Sequence, residues 1–458
     1  MMNSVVVGLG KTGASCVRYL AKRGDHVSAT DTRLAPPGLV QLGEMAASVE
    51  LRLGGFDLSL LEGASQVLMS PGVSQDEPIA RAARAQGIEV LGDVELFARD
   101  VQAPVIGVTG TNGKSTVTTL VARMAAAAGR RVLAGGNLGE PALDLLEQPA
   151  PDLYVLELSS FQLETTSSLE LQAAVVLNVT ADHLDRYPSV AAYAQAKERI
   201  FSKASTVVLN VDDPHVAAMG GRQHLSEAAR VSFSIERDDT DFSLIRSGGQ
   251  IFLARRGEKW LDAARMKITG LHNAANALAA LALGEAAGLP RSAMIAALES
   301  FPGLLHRSSW VADIGGVRYI DDSKGTNVGA TMAAVAGMPG PLVMIAGGEG
   351  KGQDFTPLGK AFQGKVREAV LIGKDAPGIA AALHGVCRTE TASSMEAAVS
   401  RAHCVALAGD TVLLSPACAS FDMFRDYGHR GDVFAAAVQK LKAATKAATK
   451  TAAKASTP

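Results

Sequence analysis

The sequence predicts an α/β protein of three domains, and two features of the chain lead to this prediction. Short apolar strands alternate with helix-like stretches through most of the 458 residues, which is the rhythm of parallel sheets covered by helices. Glycine-rich or polar loops follow several of these strands, as they do at the carboxyl edges of such sheets, where ligands bind. The predicted domains are 1–93, 94–300 and 301–440, followed by a tail at 441–458.

The composition is that of a globular protein and excludes several kinds of partner. The residues are 47% hydrophobic and 20% charged, with a formal net charge of −2, so no basic surface for nucleic acid is expected. The four cysteines are too few and too scattered for a disulfide framework or a zinc site, which favours a reducing cytoplasm. No apolar run reaches the roughly 18–20 residues of a membrane span. The first strand lacks a preceding basic region, so no signal peptide is expected.

The first domain has a glycine-rich turn, Gly8–Gly13, directly after its first strand. Gly10 and Thr12 lie in this turn, and Asp31 ends the next strand at the distance where an acid would hold a ribose. Taken alone, this Rossmann-like pattern indicates a nicotinamide or flavin dehydrogenase. However, a glycine turn before a helix binds any diphosphate. A second turn, which contains Gly72, ends another strand and is placed for the same ligand.

The central domain contains a phosphate-binding loop, GVTGTNGKST at 107–116, between a strand and a predicted helix. Gly110 and Gly113 allow the backbone to turn so that successive N–H groups face one anion. Lys114 supplies a positive charge for the β- and γ-phosphates, and Ser115 offers its hydroxyl to Mg²⁺. The spacing departs from the standard motif, which has a glycine at position 108 where this chain has a valine. A chain with two separate phosphate sites is expected to join two nucleotide-bearing reactants rather than to oxidise one.

Four other residues of the central domain are candidate ligands. Glu157 ends an apolar strand after the loop, which is a usual place for a carboxylate that holds Mg²⁺. His183 lies on a loop with two acids and is either a second metal ligand or a hydrogen-bonded loop residue. Lys197 lies on a predicted helix, and its spacing alone indicates an ordinary solvated lysine. Asn276, near the start of an alanine-rich helix, either reads a purine edge or caps the helix.

The third domain begins near a predicted hinge at Pro302-Gly303 and again has polar loops after its strands. Arg307 follows the hinge, and Lys324 and Lys351 each follow a strand. These three cations are expected to gather against a phosphate and a carboxylate substrate. In the tail, lysines recur every four residues and would repel one another on a helix. The tail is therefore predicted to be disordered, with a weak anionic-surface anchor as the alternative.

In combination, four segments resemble the Mur ligase family. They are TGTNGKST at 109–116, HNAAN at 272–276, DDSKGTN at 321–327 and SPACASFD at 415–422. The resemblance extends from about residue 4 to about residue 440, and DHLDRY at 182–187 resembles the members that add D-glutamate. It implies Rossmann-like first and third domains and a central P-loop ATPase-type domain, which bind a UDP-linked precursor, an amino acid and ATP respectively. The implied activity is ATP-dependent ligation of D-glutamate to UDP-N-acetylmuramoyl-L-alanine through an acyl phosphate.

The resemblance also implies roles for individual residues. The UDP-linked substrate would be held by Gly10, Thr12, Asp31, Thr32, Arg33, Gly72 and Asn137. ATP would be bound by Gly110, Thr111, Asn112, Gly113, Lys114, Ser115, Thr116, Asn276, Arg307, Asp322 and Lys324. D-Glutamate would be held by Thr326, Lys351, Ser420, Phe421 and Tyr427, the last of which stands where phenylalanine is expected. One Mg²⁺ would be bound by Ser115 and Glu157, and a second by His183 and a carbamate formed from CO₂ on Lys197. Lys114, His183 and Lys197 would be the catalytic groups, in a monomer with no nucleic acid partner.

Three other interpretations predict different sequence features. A nicotinamide dehydrogenase needs only the first glycine turn and leaves the phosphate-binding loop unexplained. A ligase similar to folylpolyglutamate synthetase shares the loop and the lysine but needs no UDP-binding domain. A non-catalytic homologue would be expected to lack one of four residues, all of which this chain has: Lys114, Glu157, His183 and Lys197.

Overall fold

A computed structural model of the chain describes residues 2–222, 227–268, 270–338 and 340–455, with side chains as far as residue 446. Within these ranges the protein is mixed α/β and contains sheets of five, nine and six strands. The predicted fold class is therefore confirmed. None of the described helices combines the length and the apolar character that a membrane-spanning helix needs.

The chain forms two compact units. The first contains the residues up to Val179, Ala191–Met266 and Ala274–Ser300, and the second contains Thr180–Val190, Lys267–Asn273 and the residues from Phe301. The sequence pattern assigns 180–190 and 267–273 to the central domain, whereas their contacts lie in the second unit. This difference arises because a loop is grouped by what it touches rather than by its neighbours in sequence. The domain boundaries after residues 93 and 300 stay predictions.

The first sheet is parallel, with the strand order β3-β2-β1-β4-β5. Its strands are β1 (Asn3–Val7), β2 (His26–Asp31), β3 (Glu50–Leu53), β4 (Gln66–Met69) and β5 (Glu89–Leu91). The helices of this region are α1 (Lys11–Lys22), α2 (Gly38–Leu42), α3 (Pro78–Ala85) and α4 (Asp93–Asp100). The two predicted glycine turns meet between β1 and β4, where Ser70 Oγ donates to the Gly8 carbonyl oxygen at 2.6 Å. They lie at the point where the strand order changes direction, which is the usual ligand site of such sheets.

The second sheet has the order β14-β13-β12-β11-β10-β9-β6-β8-β7. Its strands are β6 (Val105–Thr109), β7 (Val132–Gly136), β8 (Leu153–Glu157), β9 (Ala173–Val176), β10 (Thr206–Asn210), β11 (Ala229–Phe233), β12 (Phe242–Ser247), β13 (Gln250–Arg255) and β14 (Glu258–Asp262). The helices are α5 (Lys114–Ala127), α6 (Ala142–Leu146), α7 (Ser160–Glu164), α8 (Val190–Glu198), α9 (Pro214–Met219), α10 (Leu271–Ala286) and α11 (Arg291–Ser300). Because β6 lies between β8 and β9, loops from both neighbouring strands reach the phosphate-binding loop.

The third sheet has the order β15-β16-β20-β17-β18-β19, with β15 antiparallel to β16. Its strands are β15 (Ser309–Ile314), β16 (Val317–Asp321), β17 (Leu342–Gly347), β18 (Val366–Ile372), β19 (Arg388–Thr391) and β20 (Thr411–Leu414). The helices are α12 (Val328–Gly337), α13 (Thr356–Phe362), α14 (Ala376–Ala382), α15 (Met395–Val405) and α16 (Tyr427–Ala455). Both faces of this sheet are buried: Met344 belongs to the core on one face, and Val343 and Ile345 belong to the core on the other. The unbroken apolar run of β17 follows from this double burial.

The tail differs from its prediction, because α16 continues to Ala455 and the backbone of 441–455 is helical rather than disordered. Leu441 packs against the core of the third sheet. Thr445 Oγ1 donates to the Leu441 carbonyl oxygen at 3.0 Å. The high helix propensity of alanine outweighs the repulsion between lysines on one face. Residues 456–458 lie outside the described part of the chain.

Candidate active site

The phosphate-binding loop joins β6 to α5 in a backbone shape that requires glycine. Gly110 and Gly113 have φ angles of +149° and +88°, where side chains are disfavoured. A side chain on Gly113 would also meet Asn276 Oδ1 at 2.3 Å. The 14-residue helix α5 starts at Lys114, directly after Gly113, which offers no side-chain cap. Because the first N–H groups of a helix point out of its N-terminus, those of α5 face the loop, as an anion-binding helix terminus requires.

Asn178 holds this loop from the neighbouring strand β9. Its carbonyl oxygen accepts from Thr111 N at 2.9 Å, and its Oδ1 accepts from Asn112 N at 2.8 Å. Its Nδ2 also donates to the Asn112 carbonyl oxygen at 3.1 Å. The sequence pattern assigns Asn178 no role, because only the order of the strands shows that β9 lies beside β6. The one sequence feature that could have marked Asn178 is its position just after a strand of this sheet.

Two candidate lysines bond to the same loop. Lys114 Nζ donates to the carbonyl oxygens of Gly110 and Thr111, each at 2.8 Å. Lys197 Nζ donates to the Gly110 carbonyl oxygen at 2.9 Å and lies 4.3 Å from the centre of the Tyr193 ring. Lys197 is only 1% exposed, so the expectation of a solvated lysine is wrong. The alanine-rich helix α8 has no amphipathic stripe by which the sequence could mark its buried face.

Glu157 is buried at the end of β8 and pairs in register with Val108, just before the loop. Its Oε1 accepts from Asn137 Nδ2 at 2.7 Å, whereas its Oε2 is buried without a hydrogen-bond partner. An unpaired buried carboxylate oxygen is costly, and a divalent cation would offset that cost. Ser115 is buried in the first turn of α5. Carboxylate and hydroxyl oxygens beside a phosphate site are a donor set that fits Mg²⁺.

Asp31 is engaged by the protein on both oxygens. Its Oδ2 accepts from Leu9 N at 2.7 Å, and its Oδ1 accepts from Arg33 N at 2.8 Å. Burial opposes the charge, but the hydrogen bonds from Arg33 and the backbone outweigh it and hold the pKa of Asp31 below its usual value. Asp31 thus fastens Arg33 next to the glycine turn that contains Gly10 and Thr12. Thr32 and Gly72 are exposed near the same edge of the sheet.

In the second unit, Asp322 lies buried beneath the turn that carries Arg307. Its Oδ1 accepts from Ser308 N at 3.0 Å, and its Oδ2 accepts from Ser415 Oγ at 2.8 Å. Burial raises the pKa of Asp322 to about 7, against the opposing effect of these hydrogen bonds and of Arg307. Lys324 follows on the same loop, and its ammonium lies 3.8 Å from the centre of the Tyr427 ring. This is a cation–π contact between two predicted ligands.

Arg430 is a fully buried arginine that joins two loops of predicted ligands. It donates from Nη2 to the Ser323 carbonyl oxygen at 2.8 Å and from Nη1 to the Cys418 carbonyl oxygen at 3.0 Å. Burial lowers the pKa of Arg430 to about 10. The loops that it joins carry Lys324 on one side and Ser420 on the other. An arginine in a polar helix gave no signal of burial in the sequence.

The remaining candidates divide between the two units. Ser115, Glu157 and Lys197 belong to the first unit, whereas His183 belongs to the second, on the loop Thr180–Val190. In the second unit, four of the predicted D-glutamate ligands lie on loops after strands, namely Thr326, Lys351, Ser420 and Phe421, whereas Tyr427 is the first residue of α16. Ser420 is buried and Phe421 is 68% exposed. Among the described residues, no group of three His, Cys, Asp or Glu side chains could hold a metal ion by itself.

The phosphate cradle and its buried carboxylate indicate a nucleotide-dependent enzyme, and the family follows from comparison with known proteins. Three family profiles match: the Mur ligase MurD-like N-terminal domain at 2–92, the Mur ligase middle domain at 108–284 and the Mur ligase glutamate ligase domain at 306–418. The UDP-N-acetylmuramoylalanine–D-glutamate ligase of Nitrosococcus oceani is 53% identical over 440 residues, covering 96% of each chain. That of Methylococcus capsulatus is 51% identical, covering 95% of this chain and 94% of the relative. The chain belongs to the Mur ligase family, whose members use ATP and Mg²⁺.

Solved structures show the same fold at low identity. The UDP-N-acetylmuramate–alanine ligase MurC of Thermotoga maritima superimposes with a TM-score of 0.62 at 19% identity, covering 96% of this chain and 100% of that chain. A pseudomurein peptide ligase type C of Methanothermus fervidus gives a TM-score of 0.61 at 20% identity, with the same coverage. The three family profiles and the relatives of about 50% identity confirm the family resemblance and the predicted class of ATP-dependent ligase, so the dehydrogenase interpretation is wrong.

Proposed function

We propose that this protein joins D-glutamate to UDP-N-acetylmuramoyl-L-alanine, at the expense of ATP, in the synthesis of a peptidoglycan precursor. The observation that carries the proposal is the site around the phosphate-binding loop. Lys114 and Lys197 both bond to this loop, and Glu157 has a buried oxygen without a hydrogen-bond partner beside it. The names of the relatives and the match to the MurD-like N-terminal domain support the choice of substrates.

The chemistry explains why so many cations are needed. A carboxylate is a poor acyl donor, so ATP first transfers its γ-phosphoryl group to the substrate carboxylate, and an acyl phosphate and ADP form. The amine of D-glutamate then attacks the acyl carbon, a tetrahedral intermediate forms, and phosphate leaves with its bonding electron pair while the nitrogen loses a proton. The γ-phosphate and the carboxylate are both anions, and their approach must be compensated by positive charge.

Residues of the first unit hold the nucleotide in this scheme. The N–H groups at the start of α5 and the ammonium of Lys114 bind the β- and γ-phosphates. Glu157 and Ser115 would hold Mg²⁺, which would neutralise phosphate charge when bound. Asn178 keeps the loop in shape, because it bonds to both Thr111 and Asn112.

Residues of the second unit provide charge for the phosphates and for the amino acid. Arg307 and Lys324 contact ATP, and Asp322, on the loop of Lys324, bonds to Ser308 beside Arg307. Lys351 and Ser420, each after a strand of the third sheet, hold the carboxylates of D-glutamate.

Lys197 carries a carbamate in the active form. The neutral amine attacks CO₂, an N–C bond forms, one C–O π bond opens to give a carboxylate, and a proton leaves the nitrogen. The product would offer two hard oxygen donors to a second Mg²⁺. The burial of Lys197 against the phosphate-binding loop supports this assignment.

Lys197→Ala tests the carbamate. We expect the variant to lose most activity, to bind the UDP-linked substrate normally and to regain part of its turnover with acetate or formate. Lys203→Ala, at an exposed lysine just after the same helix, is the matched control and should remain active without rescue. Full activity in Lys197→Ala would rule the carbamate out. If activity is lost without rescue, ¹³CO₂ NMR on the wild-type protein decides, and the absence of a carbamate signal would refute the assignment.

Phosphate release tests the overall reaction. We expect release from ATP only when UDP-N-acetylmuramoyl-L-alanine and D-glutamate are both present. Equal activity with L-glutamate or meso-diaminopimelate would refute the amino-acid assignment, and activity with a folate acceptor would favour the alternative ligase.

The protein is also proposed to act in the cytoplasm as a monomer. All four cysteines are free thiols, which supports a reducing compartment. Light scattering on the purified protein tests the oligomeric state, and a stable dimer at assay concentrations would contradict it.

A further inference from the structure

Asp182 links three loops of the second unit near predicted ligands of the amino acid. Its Oδ1 accepts from His183 N at 2.9 Å and lies 4.0 Å from Lys351 Nζ. Its Oδ2 accepts from Asn327 Nδ2 at 3.3 Å. Asp182 is 6% exposed. This carboxylate therefore lies beneath the surface, and each of its oxygens accepts a hydrogen bond from the protein.

Asn327 gives the contact with Asp182 its direction. Its Oδ1 caps α12 by accepting from Ala330 N at 2.8 Å, so its amide nitrogen points the other way, towards Asp182. The same helix turn lies close to Thr180, because a side chain on Gly329 would meet Thr180 Oγ1 at 3.0 Å. The loop that carries Asp182 is therefore docked on the first turn of α12.

The loop that carries Lys351 has an unusual backbone, which contacts with neighbouring segments hold in place. The φ angle of Lys351 is +52°, a conformation that a non-glycine residue keeps only when its surroundings hold it. Gln353 fixes the backbone of this loop to α12, since its Oε1 accepts from Val328 N and its Nε2 donates to the Gly350 carbonyl oxygen, each at 2.9 Å. The Lys351 side chain is 22% exposed, and Asp182 is the carboxylate that faces its ammonium.

We propose that Asp182 is a positioning residue for the amino-acid substrate. It holds the ammonium of Lys351 and the turn at Asn327 in place, so that Lys351 meets a substrate carboxylate without rearrangement. This inference rests on the proposed function, in which Lys351 contacts D-glutamate. Holding a long side chain in its bound conformation raises affinity, because less conformational entropy is lost on binding. Asp182 acts through Lys351, since it is buried and its own oxygens are engaged by the protein.

Asp182→Asn is the direct test, because asparagine keeps the shape and an acceptor for His183 N but loses the charge that holds Lys351 and the acceptor for Asn327 Nδ2. The KM for D-glutamate is expected to rise about tenfold, the size expected for the loss of one partly buried ion pair at 4.0 Å. The kcat and the KM for ATP should change less than about threefold. Glutarate, which is D-glutamate without its amine, is used as a competitive inhibitor. Its inhibition constant should rise by the same factor as the KM for D-glutamate. Asp182→Glu, which keeps the charge, should give a KM between those of the wild type and Asp182→Asn.

A double-mutant cycle shows whether Asp182 acts through Lys351. Lys351→Met and the double variant with Asp182→Asn should have KM values for D-glutamate within about threefold of each other, since without the ammonium only the contact with Asn327 is left to disturb. Asp410→Asn is the matched control, because Asp410 is also buried, accepts from Leu407 N at 2.9 Å and pairs with Arg367 at 2.8 Å. It should lower the melting temperature without raising this KM.

Four results would overturn the inference. They are an unchanged KM for D-glutamate in Asp182→Asn, additive effects in the double variant, a loss for D-glutamate but not for glutarate, and a changed Mg²⁺ requirement in place of the KM effect. The third would mean that Asp182 contacts the ammonium of the substrate. The fourth would mean that it acts on the His183 ring, whose Nε2 lies 3.8 Å from its Oδ2. If the wild-type protein releases no phosphate, the proposed function fails. The same variants are then compared by NMR titration with glutarate, where an unchanged Kd overturns the inference.

Discussion

The buried carboxyl of Asp322 makes the stability of this protein depend on pH in a predictable direction. Its oxygens accept hydrogen bonds from Ser308 and Ser415, yet burial raises its pKa from 3.8 to about 7. Asp322→Asn removes the titration and keeps the shape. The amide oxygen still accepts from Ser308 N, and the amide nitrogen donates to Ser415 Oγ, whose hydrogen then points to Thr331 Oγ1 at 3.1 Å.

The direction in which stability changes with pH follows from the number of protons bound in the folded and unfolded states. Between pH 3.8 and about 7 the folded protein keeps a proton on Asp322 that the unfolded chain has released, so stability falls as the pH rises. At about 1.4 kcal/mol per pH unit the total is about 4 kcal/mol, of which roughly 2–3 kcal/mol falls between pH 5 and pH 8. The neutral amide of Asp322→Asn carries no such penalty. The free energy of unfolding of the variant therefore increases relative to that of the wild type as the pH rises.

Thermal unfolding of the full-length protein without nucleotide measures this effect. The melting temperature of Asp322→Asn minus that of the wild type should grow by several degrees from pH 5 to pH 8. Asp354→Asn is the control in the same unit, because Asp354 is exposed and its pKa is lowered by hydrogen bonds to Thr356. Its difference from the wild type should not widen over this range. A difference for Asp322→Asn that stays constant or narrows would refute the assignment of a buried, proton-retaining carboxyl.

Three further predictions concern the metal, the amino acid and the tail. Glu157→Gln should raise the Mg²⁺ concentration for half-maximal phosphate release by at least about tenfold, because a carboxylate ligand becomes a weaker amide; an unchanged Mg²⁺ titration would contradict the metal role. Lys351→Ala should raise the KM for D-glutamate far more than that for the UDP-linked substrate, and two unchanged KM values in steady-state assays would exclude the contact. Deletion of 447–458 should leave turnover and melting temperature nearly unchanged, because Leu441 and Thr445 remain; a clear fall in either would show that the deleted segment docks.

Local features of the chain are sufficient to predict much of this protein. The alternation of apolar strands and helices predicts the α/β class, because period and length depend on backbone geometry within a few residues. The loop at 107–116 is equally local, since its glycines, Lys114 and Ser115 are consecutive positions of one turn. The alanine-rich helix expected near Asn276 is found at Leu271–Ala286, because alanine favours helix wherever it lies.

Contacts between distant segments were decided by the tertiary structure alone. Lys197 is buried because the packing of α8 turns it towards Gly110, and no stripe in the sequence marks that face. Asn178 clamps the phosphate-binding loop because β9 lies beside β6, and Asp182 meets Lys351 although the two are far apart in the sequence. Which strands are neighbours depends on how whole helices and sheets bury their apolar surfaces. A sequence pattern reports the geometry of one segment, whereas these contacts depend on the free energy of packing all segments together.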